Sequence, residues 1–224
     1  MKTLPRLLPL FPLPNVVLFP QMPMPLHVFE PRYRKMVSDA LDARGLIALA
    51  TFQGPGWKKE YDGNPPVRPH VCLGYIARHE RVEDGRYHLL LQGICRATIV
   101  REIEHHPYRK AVLRPTEPAP PMEIDLSEIR EHIEELLNGP LLQQLTSIKG
   151  IHKWLTPEIP TAALVDLALM ATCESVDQRY RMLEESSTEA RGRFLAQQLR
   201  QMQHTLQVAG RFEPQELPDH MNLN

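Results

Sequence analysis

Proline constrains this chain more than any other residue type. Eight of its 22 prolines fall between Pro5 and Pro31, and a second cluster surrounds Pro118, Pro120 and Pro121. Proline has no backbone N–H, so it cannot donate a hydrogen bond to a neighbouring strand. The short apolar runs between the early prolines are therefore predicted to be edge strands or strand ends rather than central strands.

The first half of the chain predicts strands, and the second half predicts helices. Loop signals, such as the Gly-Pro-Gly at 54–56, separate the apolar runs of the first half. Seven or so short strands with turns between them predict a closed or nearly closed, mostly antiparallel β-barrel, followed by a helical bundle. The fold class is therefore α+β. The predicted strands are 7–11, 16–19, 26–29, 46–52, 71–82, 87–94, 95–103 and 109–113.

One helix is expected inside the strand region. Pro31 suits the first position of a helix, and Gly45 can end it. Between these two residues, apolar side chains recur at the spacing of one helical face, while the opposite face is charged and solvated. The apolar positions are Tyr33, Met36, Val37, Ala40 and Leu41.

The proline-rich stretch 115–121 is the predicted boundary between two subdomains. We expect a barrel subdomain over 1–118, which contains the inserted helix, and a helical bundle over 119–210. The segment 211–224 has little to bury and is expected to be a flexible tail. Leu199 lies on an apolar stripe of the last predicted helix, so its side chain is expected to be buried.

Capping residues are predicted at three helix starts of the bundle. Thr161 can cap a helix that is apolar on almost every side, which places that helix at the centre of the bundle. Ser175 with Gln178, and Ser186 with Glu189, have the spacing of a capping box.

Charge and cysteine content exclude several classes of protein. Lys and Arg number 26 against 27 Asp and Glu, so the net charge is −1, and no basic footprint for nucleic acid or an anionic membrane is present. Three separated cysteines match neither a disulfide framework nor a zinc site. No signal peptide is evident, and the apolar run 162–171 is too short to span a bilayer. We expect a cytoplasmic protein.

The sequence contains none of the common catalytic motifs. It has no GxxxxGK[ST] phosphate loop, no GxGxxG dinucleotide loop, no GxSxG elbow and no HExxH. No serine lies in a recognisable nucleophile context. The expectation is a protein without a catalytic site and without a cofactor.

A hairpin turn is predicted over residues 83–86, with Gly85 at positive φ. If this turn places Arg81 opposite His88, then His79 and His88 lie diagonally on one face of the hairpin.

Histidine offers the one candidate for metal binding. His79 with His88 is one pair, and the adjacent His105 and His106 form a second. Neither pair has an evident third ligand, and zinc sites generally need at least three protein ligands. Ordinary surface histidines are therefore the preferred interpretation, and no metal is expected.

Methionine and aromatic residues in predicted loops are the candidate contacts for a peptide. Met22 and Met24 flank a proline, and Trp57 and Tyr61 lie in the long 54–69 loop. Exposed side chains of these types suit adaptable peptide contacts. In the alternative, favoured interpretation, the methionines plug the barrel end and Trp57 folds back over the sheet.

Several ordered motifs resemble the Lon amino-terminal domain family. They are LPLFPL at 8–13, VLFP at 17–20, PLHVFEPRYR at 25–34, LGYIA at 73–77 and LQGICRA at 91–97.

The resemblance spans roughly residues 7–206, although such boundaries carry an error of about two to four residues. It implies a PUA-like barrel, a helical bundle and a role in recognising protein substrates. The family usually has glycine where this chain has Gln21, so a turn after Pro20 that is built differently is expected.

Three functions are compatible with the sequence. The first choice is a non-catalytic module that binds unfolded or extended polypeptide, or a specific protein partner, through apolar surface near the barrel–bundle junction and the 54–69 loop. The second is an RNA-binding protein, because PUA-like barrels elsewhere bind RNA, which is an analogy of fold alone. A hydrolase with an unrecognised site is the third.

Overall fold

Six strands and one helix come first in the computed structural model, and five helices follow. The structure describes residues 7–59, 61, 63–103, 107–116 and 121–210. The α+β class predicted from the sequence is confirmed. The strands are β1 (Leu8–Leu13), β2 (Pro23–Val28), β3 (Leu46–Thr51), β4 (His70–Arg81), β5 (Tyr87–Ile103) and β6 (Lys110–Pro115). The helices are α1 (Pro31–Leu41), α2 (Ser127–Leu137), α3 (Thr146–Lys149), α4 (Thr161–Thr172), α5 (Val176–Glu184) and α6 (Thr188–Ala209).

Strand pairing closes the sheet into a barrel. The order is β2-β5-β4-β3-β1-β6, and β6 pairs back onto β5. Every pairing between these strands is antiparallel except that of β1 with β3. The closed ring is β5-β4-β3-β1-β6. The long strand β5 completes it because its last part pairs with β6, while its first part pairs with β2, which lies outside the ring. It replaces the two separate strands predicted over 87–103.

Two further sequence predictions fail in the barrel. The segment 16–19 is not a strand but a buried connection, and its Val16 carbonyl accepts a hydrogen bond from the Thr51 hydroxyl at 2.6 Å. Strand β1 is not an edge strand, because it lies between β3 and β6 despite Pro9 and Pro12.

The placement of the two prolines explains why β1 tolerates them. The Leu10 N–H donates to the Arg109 carbonyl on the β6 side, at 2.9 Å. Since successive backbone groups alternate in direction, Pro12 also faces β6 and Pro9 faces β3. Pairing with β6 covers only Leu8 and Pro9, and pairing with β3 begins at Leu10. Pro12 therefore faces β6 beyond the end of that pairing, and Pro9 faces β3 before that pairing begins. Neither proline is at a position where a backbone donor is needed.

Helix α1 forms as predicted, with Pro31 in its first turn. Its buried face carries Tyr33, Met36 and Val37, together with Ala40. Gly45 ends the turn that follows, at φ +67°, and its N–H donates to the Ala40 carbonyl at 2.7 Å.

The main apolar core is continuous between the barrel and the helices. It includes Phe11 and Leu49 from the barrel and Leu164 and Leu199 from α4 and α6. The alternate strand residues face a second, smaller core: Leu10, Ala48, Ala50, Val71, Ala97 and Ala111.

The boundary at 118 and the tail 211–224 lie outside the described residues, so the subdomain division stays a prediction. No helix in the described ranges is long and apolar enough to cross a membrane.

Candidate binding cleft between the barrel and the helices

A cleft of about 430 Å³ lies where the barrel meets the helices. The barrel contributes the turn after 19 and a residue of β5, while the helical side contributes the starts of α4 and α6 and the segment before α2. The lining residues are Pro20, Gln21, Ile94, Pro121, Asp125, Leu126, Ala162, Ala163, Asp166, Ser186, Ser187, Thr188, Glu189 and Arg191.

The barrel wall of the cleft is a tight turn held against β5. Gln21 donates its N–H to the Gly93 carbonyl at 2.9 Å, and the Gly93 N–H donates to the Met22 carbonyl at 3.0 Å. A Cβ at Gly93 would lie 2.1 Å from the Phe19 carbonyl oxygen, so only glycine permits this approach. Gln21 itself takes φ +62°. The expectation of a differently built turn is wrong on this point, because the turn keeps positive φ without glycine.

The floor of the cleft is a buried ionic cluster that joins the barrel to two helices. Asp166 of α4 accepts from Arg96 of β5 at 2.8 Å and from Arg191 of α6 at 3.0 Å. All three residues are buried. Arg191 also donates to the carbonyls of Glu185 and Ser186, at 2.9 and 3.0 Å. It therefore holds the α5–α6 connection, which is one wall of the cleft.

The helix starts at the cleft are capped, but not all as predicted. The carboxylate of Glu123 accepts from the Thr161 N–H and hydroxyl, so the cap of α4 comes from a distant residue and Thr161 is the first helical position. Ser187, rather than Ser186, caps α6 by accepting from the Ala190 N–H at 3.2 Å. The start of that helix is one residue later than its capping-box spacing indicated.

The capping box at the start of α5 is present as predicted. The Ser175 hydroxyl accepts from the Gln178 N–H, and the Gln178 side chain accepts from the Ser175 N–H.

Large apolar side chains stand exposed at and beside the cleft. Ile94, which lines it, is 42% exposed, and Met122 and Ile124, in the segment that leads into α2, are 67% and 75% exposed. Side chains of this size are usually covered, and exposed ones at a cleft mark it as a candidate contact site. None of the three was singled out from the sequence, because in isolation each reads as a core residue.

Met22 and Met24, the first pair of predicted contacts, are half-buried. Both pack against the main core, and Met22 directly follows the cleft residue Gln21. Their packing agrees with the interpretation that methionines close the barrel end.

Trp57 and Tyr61, the second pair, belong to an aromatic cluster over the barrel. Trp57 stacks on Phe52, with ring centroids 5.2 Å apart and planes 7° from parallel. The Tyr61 hydroxyl donates to the Glu30 carboxylate, and the Arg32 guanidinium lies 4.8 Å from the Tyr61 ring. Burial raises the pKa of Tyr61, so its hydroxyl stays protonated near neutral pH. These contacts hold Trp57 and Tyr61 against the barrel.

A second cavity of about 660 Å³ lies beneath that loop, but its charged groups are already paired. Arg109 binds the Glu102 carboxylate through two nitrogens, each at 2.7 Å, and donates to the Pro65 carbonyl at 2.7 Å. Arg32 binds Glu30 at 3.0 Å. These donors and acceptors satisfy one another, as those of the ionic cluster do in the junction cleft. The two cavities differ in apolar exposure, because the exposed Ile94 lines the junction cleft and no exposed large apolar side chain is found among the described residues that line this one.

The hairpin histidines are not arranged as predicted. Gly85 takes φ +81° as expected, but Arg81 pairs with Tyr87 and His79 pairs with Leu89. Directly paired residues share a face, so His79 and His88 lie on opposite faces. The register differs because the turn closes one residue earlier, between Val82 and Arg86.

His88 instead contacts His27 of β2, with ring centroids 4.7 Å apart. In the described part of the chain, no group of three or more metal-binding side chains is assembled. His105 and His106 lie outside the described residues.

The fold defines a class of α+β proteins in which a closed barrel packs against a helical bundle. Solved structures share this fold. The N-terminal domain of a Mycobacterium avium complex Lon protease superposes with a TM-score of 0.65 at 17% identity, covering 86% of this chain and 97% of that one. A Lon N-terminal domain protein from Xanthomonas campestris gives 0.60 at 22% identity, covering 84% and 96%.

Sequence comparison identifies the family. The model of the ATP-dependent protease La (LON) substrate-binding domain matches residues 7–201. The Lon protease of Desulfosudis oleivorans is 24% identical over 220 residues, which are 92% of this chain and 25% of that protein. That of Geobacter metallireducens is 32% identical over 161 residues, which are 70% of this chain and 18% of that protein. The chain belongs to the LON substrate-binding domain family, and spans a quarter or less of these two relatives.

Proposed function

We propose that this protein binds extended or unfolded polypeptide in the cleft between the barrel and the helices. The observation that carries the proposal is the cleft itself, with Ile94, Met122 and Ile124 exposed at and beside it. A patch of this kind suits apolar side chains of a bound segment. The family description, a substrate-binding domain, supports the same function.

The walls of the cleft favour a preformed site. Gly93 anchors the barrel wall, and Arg191 anchors the helical wall. A preformed site loses little conformational entropy on binding, but an unfolded segment loses much, so the affinity for any single segment is modest. The recognition is largely apolar, so binding depends weakly on salt.

The predicted contacts take a secondary place in this proposal. Met22 adjoins the cleft residue Gln21, whereas Met24 packs against the main core. Trp57 stacks on Phe52 and Tyr61 binds Glu30, so both support the barrel and do not line the cleft. The proposal also holds that the protein has no ATPase or peptidase activity of its own and that it acts in the cytoplasm.

The test is a titration of a labelled, permanently unfolded protein against the intact chain, at two salt concentrations. Ile94→Ser should weaken binding several-fold, because it removes exposed apolar surface that lines the cleft. Ile124→Ser should also weaken it, because the exposed Ile124 side chain directly precedes the lining residue Asp125. Val100→Ser is the matched control for Ile94→Ser, since Val100 is also an exposed apolar residue of β5 but neither lines the cleft nor adjoins a residue that does. It should leave binding unchanged.

Two outcomes would contradict the proposal. One is equal weakening by Val100→Ser and Ile124→Ser, which would place the contact elsewhere. The other is tight binding of single-stranded RNA that falls steeply with salt, without measurable binding of polypeptide, since that salt dependence is typical of nucleic-acid recognition. Trp57→Ala and Met24→Ala complete the series, and both should have smaller effects than Ile124→Ser.

A further inference from the structure

Within the described part of the chain, strand β2 has one edge without a partner strand. Among the strands that the structure describes, it alone pairs with a single partner, β5. The edge is apolar in character, with Pro23 and Pro25 exposed and Met24 and Leu26 half-buried, and the exposed Phe29 follows the strand. An open apolar edge is a template for pairing with another extended chain.

The register of β2 shows which backbone groups face this edge. The Gly93 N–H donates to the Met22 carbonyl at 3.0 Å, so Met22 faces β5. Backbone groups alternate in direction along a strand, and residues 24, 26 and 28 therefore also face β5. Residues 23, 25 and 27 face outward.

Two of the three outward residues are prolines. The outward edge thus offers three carbonyl groups, at Pro23, Pro25 and His27, but only one N–H, that of His27. A strand that is added to an edge needs donors and acceptors in alternation along its length. This edge can accept hydrogen bonds at three carbonyl groups but can return only one, from His27.

We infer that Pro23 and Pro25 close this edge to strand addition, both by a second copy of the chain and by a bound polypeptide. The second half of this inference rests on the proposed function. A protein that holds unfolded segments beside an open apolar edge would otherwise nucleate a growing sheet. With the edge closed, a polypeptide is recognised through its side chains in the cleft and not through its backbone.

The experiment restores the missing donors with the variant Pro23→Thr/Pro25→Thr. Threonine is favoured in strands and is polar, so it suits the exposed positions 23 and 25. His27→Thr is the matched control, because it changes an outward residue of the same strand without adding a donor. Circular dichroism melting first establishes that each variant is folded.

Self-association is then measured by sedimentation velocity over a concentration series, without any added polypeptide. The double variant should associate at a concentration lower than the wild type by about tenfold or more, because each copy gains two backbone donors for the shared edge. His27→Thr should behave like the wild type. Unchanged association of the double variant, or equal association of His27→Thr, would overturn the inference.

A second arm adds a strand-forming peptide and follows light scattering. The double variant should co-aggregate with it, while the wild type does not. The affinity of the double variant for unfolded protein in the cleft should stay unchanged. Since the sedimentation arm uses no client, the edge inference can succeed or fail independently of the proposed function.

Discussion

Among the described residues, an inner and an outer arginine–carboxylate contact join the barrel to the helices, and they differ chiefly in their access to water. In one, Arg96 of β5 meets Asp166 and Arg191 inside the protein, and the Asp166 side chain is only 3% exposed. In the other, Arg68, just before β4, meets Asp177 of α5, whose side chain is 69% exposed. Both carboxylates therefore bind an arginine, in very different surroundings.

The difference teaches that pairing and burial are separate quantities. The inner carboxylate and its two arginines have lost their water, so each depends on the others and on nearby carbonyl groups for compensation. The outer carboxylate keeps most of its hydration, and its attraction to Arg68 is screened. We expect the inner cluster to define how the barrel meets the helices, and the outer pair to add little.

The strongest test places a charge in the core without any partner. Leu199 of α6 is fully buried in the main core, so Leu199→Asp puts an uncompensated carboxylate among apolar side chains. The expected loss is about 4–5 kcal/mol or more, a large share of the stability of a domain. Val208→Asp is the matched control on an exposed turn of the same helix, and it should cost little. Urea unfolding measures both, and equal losses would show that α6 is placed wrongly.

The next test removes the shared carboxylate of the inner cluster. Asp166→Ala leaves Arg96 and Arg191 buried without their common partner, and the expected loss is about 3–5 kcal/mol. Because the loss comes from uncompensated charge, Asp166→Ala/Arg191→Met should cost clearly less than the sum of the two single variants. Thermal unfolding of all three variants gives the cycle. Simple additivity would mean that these residues do not act as one cluster.

The local features of the fold were largely predictable from the sequence. Helix α1 begins at Pro31, and the hairpin has Gly85 at positive φ, because short-range sterics decide both. The buried stripe that contains Leu199 follows from the helical period alone. Motif order also predicted the family correctly.

Features that depend on contacts between distant residues were not predictable. Asp166 interrupts an apolar run, which is a signal for a buried charge, but its partners lie 70 and 25 residues away. No local pattern connects these three positions. The prediction that Thr161 caps α4 is wrong for the same reason, since the capping residue Glu123 is 38 residues from Thr161.

The candidate cleft was predictable only in outline. Its place at the junction of barrel and helices was expected, but the residues at its rim were not. In the sequence, Met122 and Ile124 resemble core residues. The structure is needed to show that both side chains are exposed. The one-residue shift of the hairpin register likewise depends on how Val82 and Arg86 close the turn.

The smallest effect is expected at the outer pair, where Asp177→Ala removes the partner of Arg68. The hydrogen bond and charge of Arg68 hold the pKa of Asp177 below its ordinary value. A carboxyl group with a depressed folded pKa stabilises the protein above its unfolded pKa of about 4, and that stabilisation is lost as pH falls through the folded pKa. The wild type should therefore exceed Asp177→Ala slightly in melting temperature at neutral pH. The difference should disappear in strong acid, and it should shrink in high salt because the pair is exposed. Melting curves at both pH values test this, and a loss as large as that of Asp166→Ala would refute the claim that burial separates the two contacts.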